Sequence, residues 1–304
     1  MDKISISDIN RDNYYDIKNV LSASTIKSFE SCEAAALAAH MGDYVRPTTT
    51  ALLVGGYIDA ALDSDAELDK FCAAHLEILN SRTGQLKSDF LRAAEVVQRC
   101  KDDHIFRALT IDSPAEGHQY IVLGSIGTDS SGEPIPCKGK LDFLLSPKYL
   151  IHLAGTFVMF TEWYNYFVDC ASAGGLIVDL KSAANTDETW ADDVGCRIPW
   201  LQAWHYDRQL AVYRELYRQM SGKTLPVMVL VATKEPSQSL LPLTIDSGTL
   251  DEGLAEAQAL APRVWHLMTT AEPDQRRCEK CAYCRMTRRL ETMGPIDFRF
   301  AADF

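Results

Sequence analysis

Residues 176–182 read Leu-Ile-Val-Asp-Leu-Lys-Ser and place two charged side chains in an otherwise aliphatic run. A short apolar, β-branched run of this kind predicts a buried central strand. Side chains alternate between the faces of a strand, so Asp179 and Lys181, two positions apart, share one face. A buried carboxylate is costly unless a cation or hydrogen bonds compensate it. The stretch therefore predicts a charged site on a central strand.

A second strand with a carboxylate precedes it. Residues 120–124 and 135–145 are β-rich and are separated by the turn sequence Asp-Ser-Ser-Gly, which predicts a hairpin carrying Asp142. Carboxylates hold a hard divalent cation such as Mg²⁺ or Mn²⁺, and a lysine can orient or deprotonate water and offset phosphate charge. Taken alone, Asp179 and Lys181 are better explained as an ordinary surface ion pair on an edge strand, because a bare Asp-x-Lys is very common.

The next element of the chain helps to distinguish a metal-binding site from a surface ion pair. Pro199 suits the first turn of a helix, and the pattern predicts one continuous helix from Trp200 to Met220. Gln209 and Tyr213 lie four residues apart and so share a face of it. The order of carboxylate strand, Asp-x-Lys strand and this helix favours phosphodiester hydrolysis over a surface ion pair.

Composition and charge limit the class of protein. The chain has 304 residues, 47% hydrophobic and 24% charged, and a net charge of -12, which by itself disfavours nucleic acid as a partner. Residues 276–289, however, carry six basic residues and one acidic residue. No run reaches the roughly 20 apolar residues of a membrane helix, and the N-terminus lacks a signal-peptide core. We expect a cytoplasmic protein without a membrane partner.

The nine cysteines are not expected to form disulfides, because the cytoplasm is reducing. Cys278, Cys281 and Cys284 are spaced too regularly and closely to be independent core residues. With a fourth thiol they would satisfy either tetrahedral Zn²⁺ or a [4Fe–4S] cluster. Five further cysteines are predicted to be buried and to pack as small hydrophobic residues: Cys72, Cys100, Cys137, Cys170 and Cys196.

Several short motifs occur in a fixed order along the chain. They are Leu21 to Cys32 (Leu-Ser-Ala-Ser-Thr, then Phe and Cys), Gly55 to Asp59, Gly139 to Asp142, Val178 to Ser182, and Gln209 to Tyr213. In this order they resemble the PD-(D/E)XK nuclease superfamily, in particular the RecB-like and RecE-like exonucleases of phages and prophages. The resemblance spans roughly residues 20 to 290. It implies an α/β fold with a mixed central sheet flanked by helices.

The resemblance also implies roles for individual residues. Asp142 and Asp179 would bind the metal together with the backbone carbonyl of Leu180, and Lys181 would be the catalytic lysine. Gln209 and Tyr213 would be the signature pair that contacts DNA or supports the site.

Further positions follow from the same resemblance. Asp59 occupies a place where many relatives have His, and an oxygen ligand there is compatible with Mg²⁺. Glu116, just before the first strand, is a weaker candidate. Iron–sulfur members place one cysteine before the core and three after it, which makes Cys32 the expected partner of the tail cysteines.

The expected organisation has three parts. Residues 1–110 form an N-terminal helical region packed on the core, residues 111–270 the nuclease core, and residues 271–304 a basic, cysteine-rich tail. Within the core, residues 150–175 look like an inserted helix. This insertion is expected to pack against the body, with a wedge or subunit contact as the alternative.

The resulting hypothesis is a Mg²⁺-dependent DNA exonuclease acting on duplex ends in phage-type recombination or repair. Lys138, Lys140 and the basic tail would contact the DNA backbone. A single-strand annealing protein is the expected partner by analogy, and a homo-oligomer is possible. The alternatives are a catalytically decayed DNA-binding or assembly module and a zinc-ribbon interaction protein.

Overall fold

The computed structural model describes residues 8–191 and 195–289. Its centre is a five-stranded mixed sheet in the order β1-β2-β3-β6-β7, and β4 and β5 form a separate two-stranded ribbon. β3 and β6 are parallel, whereas the other neighbours in the large sheet are antiparallel. The strands are β1 (His118–Thr128), β2 (Pro134–Leu145), β3 (Leu176–Ala183), β4 (Thr189–Ala191), β5 (Cys196–Ile198), β6 (Val227–Thr233) and β7 (Leu240–Thr244).

Helices precede, interrupt and follow the sheet. Those before it are α1 (Ala23–Ser31), α2 (Glu33–Met41), α3 (Thr50–Asp63), α4 (Asp65–Ala74), α5 (Ser88–Asp102) and α6 (His104–Leu109). Those within and after it are α7 (Pro147–Thr156), α8 (Thr161–Ala173), α9 (Trp200–Ala203), α10 (Tyr206–Ser221), α11 (Ser247–Thr269) and α12 (Ala282–Met286).

The sheet separates two hydrophobic cores. On one face, α3, α5, α7 and α8 pack against alternate residues of β3 and β6, such as Val178 and Met228. On the other face, α1, α10 and α11 pack against the intervening residues, such as Ile177 and Val229. A central strand buried on both faces is apolar throughout except where function requires otherwise. The architecture confirms the predicted mixed sheet flanked by helices, with N-terminal helices and a C-terminal cysteine cluster.

Two predicted elements differ from the structure. The single helix from Trp200 to Met220 is wrong: the chain breaks after α9, and His205 adopts a left-handed conformation with φ 55° before α10 begins. The inserted helix is instead a pair, α7 and α8, and Phe157 and Phe167 bury its inner face. Residues 290–304 of the predicted tail lie outside the described residues. Among the described helices, none is long and apolar enough to cross a membrane.

Candidate active site and cysteine cluster

The two strand carboxylates meet where β2 and β3 stop pairing. Phe143 pairs with Val178, and continuing that register places Asp142 opposite Asp179. Opposite residues of an antiparallel pair project from the same face. The main-chain N–H of Leu180 donates to Asp142 Oδ2 over 2.9 Å. The Asp142 side chain therefore takes the place of a strand partner and is fixed beside the Asp179–Leu180 backbone.

Asp179 and Lys181 form a buried ion pair. Lys181 Nζ lies 2.5 Å from Asp179 Oδ2, and the Asp179 side chain is only 2% exposed. Lys181 Nζ also lies 4.9 Å from the centre of the Tyr206 ring. The pair is thus held between β3 and the first turn of α10.

Burial and charge shift the pKa values of this pair. Burial raises the pKa of Asp179 and Asp142 adds to the effect, while Lys181 partly offsets it. Burial alone would lower the pKa of Lys181, but the Asp179 and Asp142 carboxylates outweigh it and the pKa is raised. Lys181 is therefore held in its charged form, suited to stabilising an anion rather than to accepting a proton.

Asp59 approaches the same place from α3. Gly55 lies against the Ser182 side chain of β3, and a Cβ at Gly55 would be 3.8 Å from Ser182 Oγ. Asp59 follows one helical turn later and lines a cavity of about 220 Å³ together with Asp142 and Leu180. The Asp59 side chain is exposed to this cavity. Desolvation by the surrounding protein, followed by the charge of Asp142, raises the pKa of Asp59 to about 7.

Gln209 and Tyr213 are not among the residues that line the cavity. Gln209 Nε2 donates to Tyr213 Oη over 2.9 Å. The Tyr213 ring packs on Gly139 of β2, where a Cβ would approach Tyr213 Cδ1 to 2.7 Å, so glycine is required for this contact. Burial, followed by the charge of Asp179, raises the pKa of Tyr213. The pair thus supports the carboxylate strands from the α10 side.

Two lesser sequence predictions do not fit this geometry. Glu116 is exposed and does not line the cavity. Lys138 is buried and unavailable to DNA, because Nζ donates to the backbone carbonyls of Tyr14 and Ile17. Lys140, in contrast, lines the cavity.

Three residues without a sequence signal also line this cavity. Tyr15 reaches it from the N-terminal segment, and its ring centre lies 4.6 Å from Lys140 Nζ. His118 and Gln119 line it from the start of β1, where Gln119 has φ 47°. A backbone conformation that is unfavourable for glutamine places these side chains, and no motif marks it.

The carboxylate site has donors that suit a hard divalent cation. Asp59, Asp142 and Asp179 offer oxygen ligands, and Asp59 and Asp142 line one cavity together with Leu180. Besides burial, the charge of Asp142 raises the pKa of both Asp59 and Asp179. Like charges disfavour close approach unless a cation lies between them. The residues therefore fit such an ion.

The structure brings four cysteines together across the length of the chain. The Sγ atoms of Cys32, Cys278, Cys281 and Cys284 all lie within 4.8 Å of one another. Cys284 Sγ is 3.5 Å from Cys32 Sγ and 3.9 Å from Cys278 Sγ. Burial opposes ionisation of Cys278, but backbone N–H groups of Cys281 and Lys280 outweigh it and lower its pKa to about 6. A thiolate is the form that binds metal, so the group can hold a metal ion or cluster.

A hydrogen-bonded network fixes the two sides of this cluster. The Glu33 carboxylate, next to Cys32, accepts from Arg263 Nε and Nη2 over 3.1 and 2.8 Å. The same carboxylate accepts from the Arg276 N–H over 2.7 Å, and Ala34 N–H donates to the Arg276 carbonyl. These bonds join α2, α11 and the tail, so the cysteines are positioned by protein contacts as well.

Comparisons with known proteins identify the family of this chain. The profile of the PDDEXK-like domain of unknown function (DUF3799) matches residues 22–287. No curated protein matches the chain. A solved structure from Eubacterium rectale, described as a "Putative exonuclease", is similar over 97% of this chain and 99% of its own, with 27% identity and a TM-score of 0.74. The chain therefore belongs to the family of PDDEXK-like domains.

Proposed function

We propose that this protein is a metal-dependent deoxyribonuclease that removes nucleotides from duplex DNA ends. The observation that carries the proposal is the convergence of Asp142, Asp179 and Lys181 beside a cavity that Asp59 also lines. A lone ion pair would need no second and third carboxylate. Membership of the family and similarity to a protein described as an exonuclease support the same conclusion.

Each residue has a distinct role in this proposal. Asp59, Asp142 and Asp179, with the Leu180 carbonyl, hold Mg²⁺ or Mn²⁺, which supplies Lewis-acid stabilisation of charge on the phosphate oxygens. Lys181, held protonated by its neighbours, orients the attacking water and offsets the negative charge that develops at phosphorus.

Digestion of linear and covalently closed circular duplex DNA tests the proposal. With Mg²⁺, the linear form should be degraded to nucleotides while the circle persists, and a chelator should stop the reaction. Degradation of both forms would indicate an endonuclease. No degradation of either form with Mg²⁺ or Mn²⁺ would favour the decayed DNA-binding module.

The cysteine cluster is proposed to bind a single structural Zn²⁺ ion. With Zn–S bonds of about 2.3 Å, the corners of a regular tetrahedron lie about 3.8 Å apart. The distances of 3.5 and 3.9 Å from Cys284 Sγ to its neighbours match this spacing. A four-iron cluster is larger than one ion and holds its four thiolates further apart. Elemental analysis of anaerobically purified protein should find one zinc per chain, whereas iron with sulfide would show that the site holds a cluster.

A further inference from the structure

A second cavity adjoins the carboxylate cavity and has the opposite charge. Its volume is about 330 Å³, and the positively charged side chains on its wall are Lys18, Arg46 and the buried Lys138. No carboxylate side chain of the described residues lines it, although the whole chain has a net charge of -12. Lys18 and Arg46 are exposed, and neither forms an ion pair with a described residue. Such a cavity favours an external polyanion.

Tyr15 stands between the two cavities and lines both. The side chain is 72% exposed. The Tyr14 ring meets it edge-on, with centroids 5.2 Å apart at 87°, and Lys140 Nζ lies 4.6 Å from its centre. The ring is therefore supported by its neighbours and still offers surface to a flat ligand. An exposed aromatic ring beside cations is the arrangement on which single-stranded nucleic acids stack their bases.

The segment that carries Tyr15 is fixed in place. Lys138 Nζ donates to the carbonyls of Tyr14 and Ile17 on either side of it, and lies 4.5 Å from the centre of the Tyr14 ring. Tyr14 and Ile17 also belong to a small apolar cluster packed against Ile121 of β1. The buried lysine thus serves to position the segment, which explains why a cation is retained inside the protein.

We propose that the two cavities form one binding path for a single DNA strand, with Tyr15 stacking on the base next to the reactive phosphate. The following phosphates would lie by Lys18 and Arg46. This inference rests on the proposed nuclease function and adds the form of its substrate: the strand must be unpaired at Tyr15, because a base needs a free face to stack on the ring. Stacking accepts every base, as an enzyme that removes successive nucleotides requires.

Binding of a single-stranded oligonucleotide tests the path without catalysis. An Asp179→Asn background blocks cleavage, and 2-aminopurine at the terminal nucleotides reports stacking by loss of its emission. Tyr15→Ala should weaken binding about 5- to 150-fold, the range expected for one stacked base, and should restore the emission. Tyr15→Trp should keep both affinity and quenching. Tyr164→Ala, an exposed tyrosine on α8 that lines neither cavity, is the matched control.

The salt dependence of binding tests the contribution of Lys18 and Arg46 to the path. Replacing both Lys18 and Arg46 by Ala should reduce the slope of log affinity against log salt by about 1.4, because each single-strand phosphate contact contributes about 0.7. Lys148→Ala, an exposed lysine on α7 that lines neither cavity, should leave the slope unchanged.

The outcomes separate this inference from the nuclease proposal. If Tyr15→Ala binds and quenches like its parent, or the double variant keeps the parent's salt slope, the path is wrong whether or not the wild type cleaves DNA. If the wild type binds and quenches through Tyr15 yet releases no nucleotides with Mg²⁺, the path stands and the nuclease proposal fails. Equal binding of blunt duplex and single strand, both lost in Tyr15→Ala, would overturn the preference for an unpaired strand.

Discussion

Replacement of Cys281 by serine should remove the metal from the cysteine cluster and destabilise the whole fold. The cluster joins the start of α2 to the tail, and its members Cys32 and Cys284 lie 252 positions apart. In the unfolded chain these segments are far from each other, and a metal that binds only the folded arrangement adds its binding free energy to stability. A serine hydroxyl is a poor substitute for a thiolate.

The size of the effect follows from loop closure. Treated as a cross-link across 252 positions, the site would contribute about 5 kcal/mol to the free energy of unfolding. Protein contacts join the same elements without metal: Glu33 with Arg263 and Arg276, and Ala34 with Arg276. They retain part of the connection, so we expect a loss of about 2 to 5 kcal/mol. For a domain of this size that corresponds to a fall in Tm of about 5 to 20 °C.

Equilibrium denaturation together with metal analysis provides the assay. Cys72→Ser is the matched control, because Cys72 is a partly buried thiol outside the cluster and its variant should keep the metal. Adding a chelator to the wild type should reproduce the loss of stability, and Cys281→Ser should show no further response to it. A Cys281→Ser protein that keeps its metal and its stability would refute this reasoning.

Three other perturbations address the candidate active site. Lys181→Ala should lower kcat for nucleotide release at least about 100-fold, because the cation that offsets the phosphate charge is lost. Circular dichroism should show that this variant retains the fold. Calorimetric titrations should show that the affinity for Mg²⁺ rises between pH 6 and pH 8. The pKa of Asp59 is raised to about 7, so protons compete with the metal below that pH. Asp59→Asn should weaken the affinity for Mg²⁺ and reduce its dependence on pH. Gly139→Ala should lower the free energy of unfolding by about 1 to 3 kcal/mol in urea titrations, because its Cβ would displace the Tyr213 ring.

Sequence reasoning identified the fold because the decisive features are local patterns. The aliphatic run around Asp179 and Lys181 predicts a strand buried on both faces, and the Gly139–Asp142 motif lies on its neighbour, as the register shows. The regular spacing of Cys278, Cys281 and Cys284 was likewise readable. The fourth cysteine of the cluster could not be predicted from local sequence, because no local feature distinguishes Cys32 from a core cysteine. Only the resemblance to the nuclease superfamily indicated it.

The remaining features depend on long-range contacts or on backbone conformation. The break before α10 occurs at His205, whose backbone is left-handed. Histidine is not specific to this conformation, so the sequence did not predict the break. Lys138 was expected to contact DNA, but the N-terminal segment covers it and its carbonyls bind the ammonium group. Tyr15 reaches the cavity only because that segment packs on β1. Each of these contacts joins parts of the chain that are distant in sequence.

The central claim is that the cavity lined by Asp59 and Asp142 is the active site of a metal-dependent nuclease. The most direct test is the rate at which Asp142→Asn releases nucleotides from linear duplex DNA with Mg²⁺, compared with the wild type and with Asp169→Asn, an exposed carboxylate on α8. The rate should fall at least about 100-fold in Asp142→Asn and stay at the wild-type value in Asp169→Asn. Wild-type rates from a folded Asp142→Asn protein would contradict the central claim.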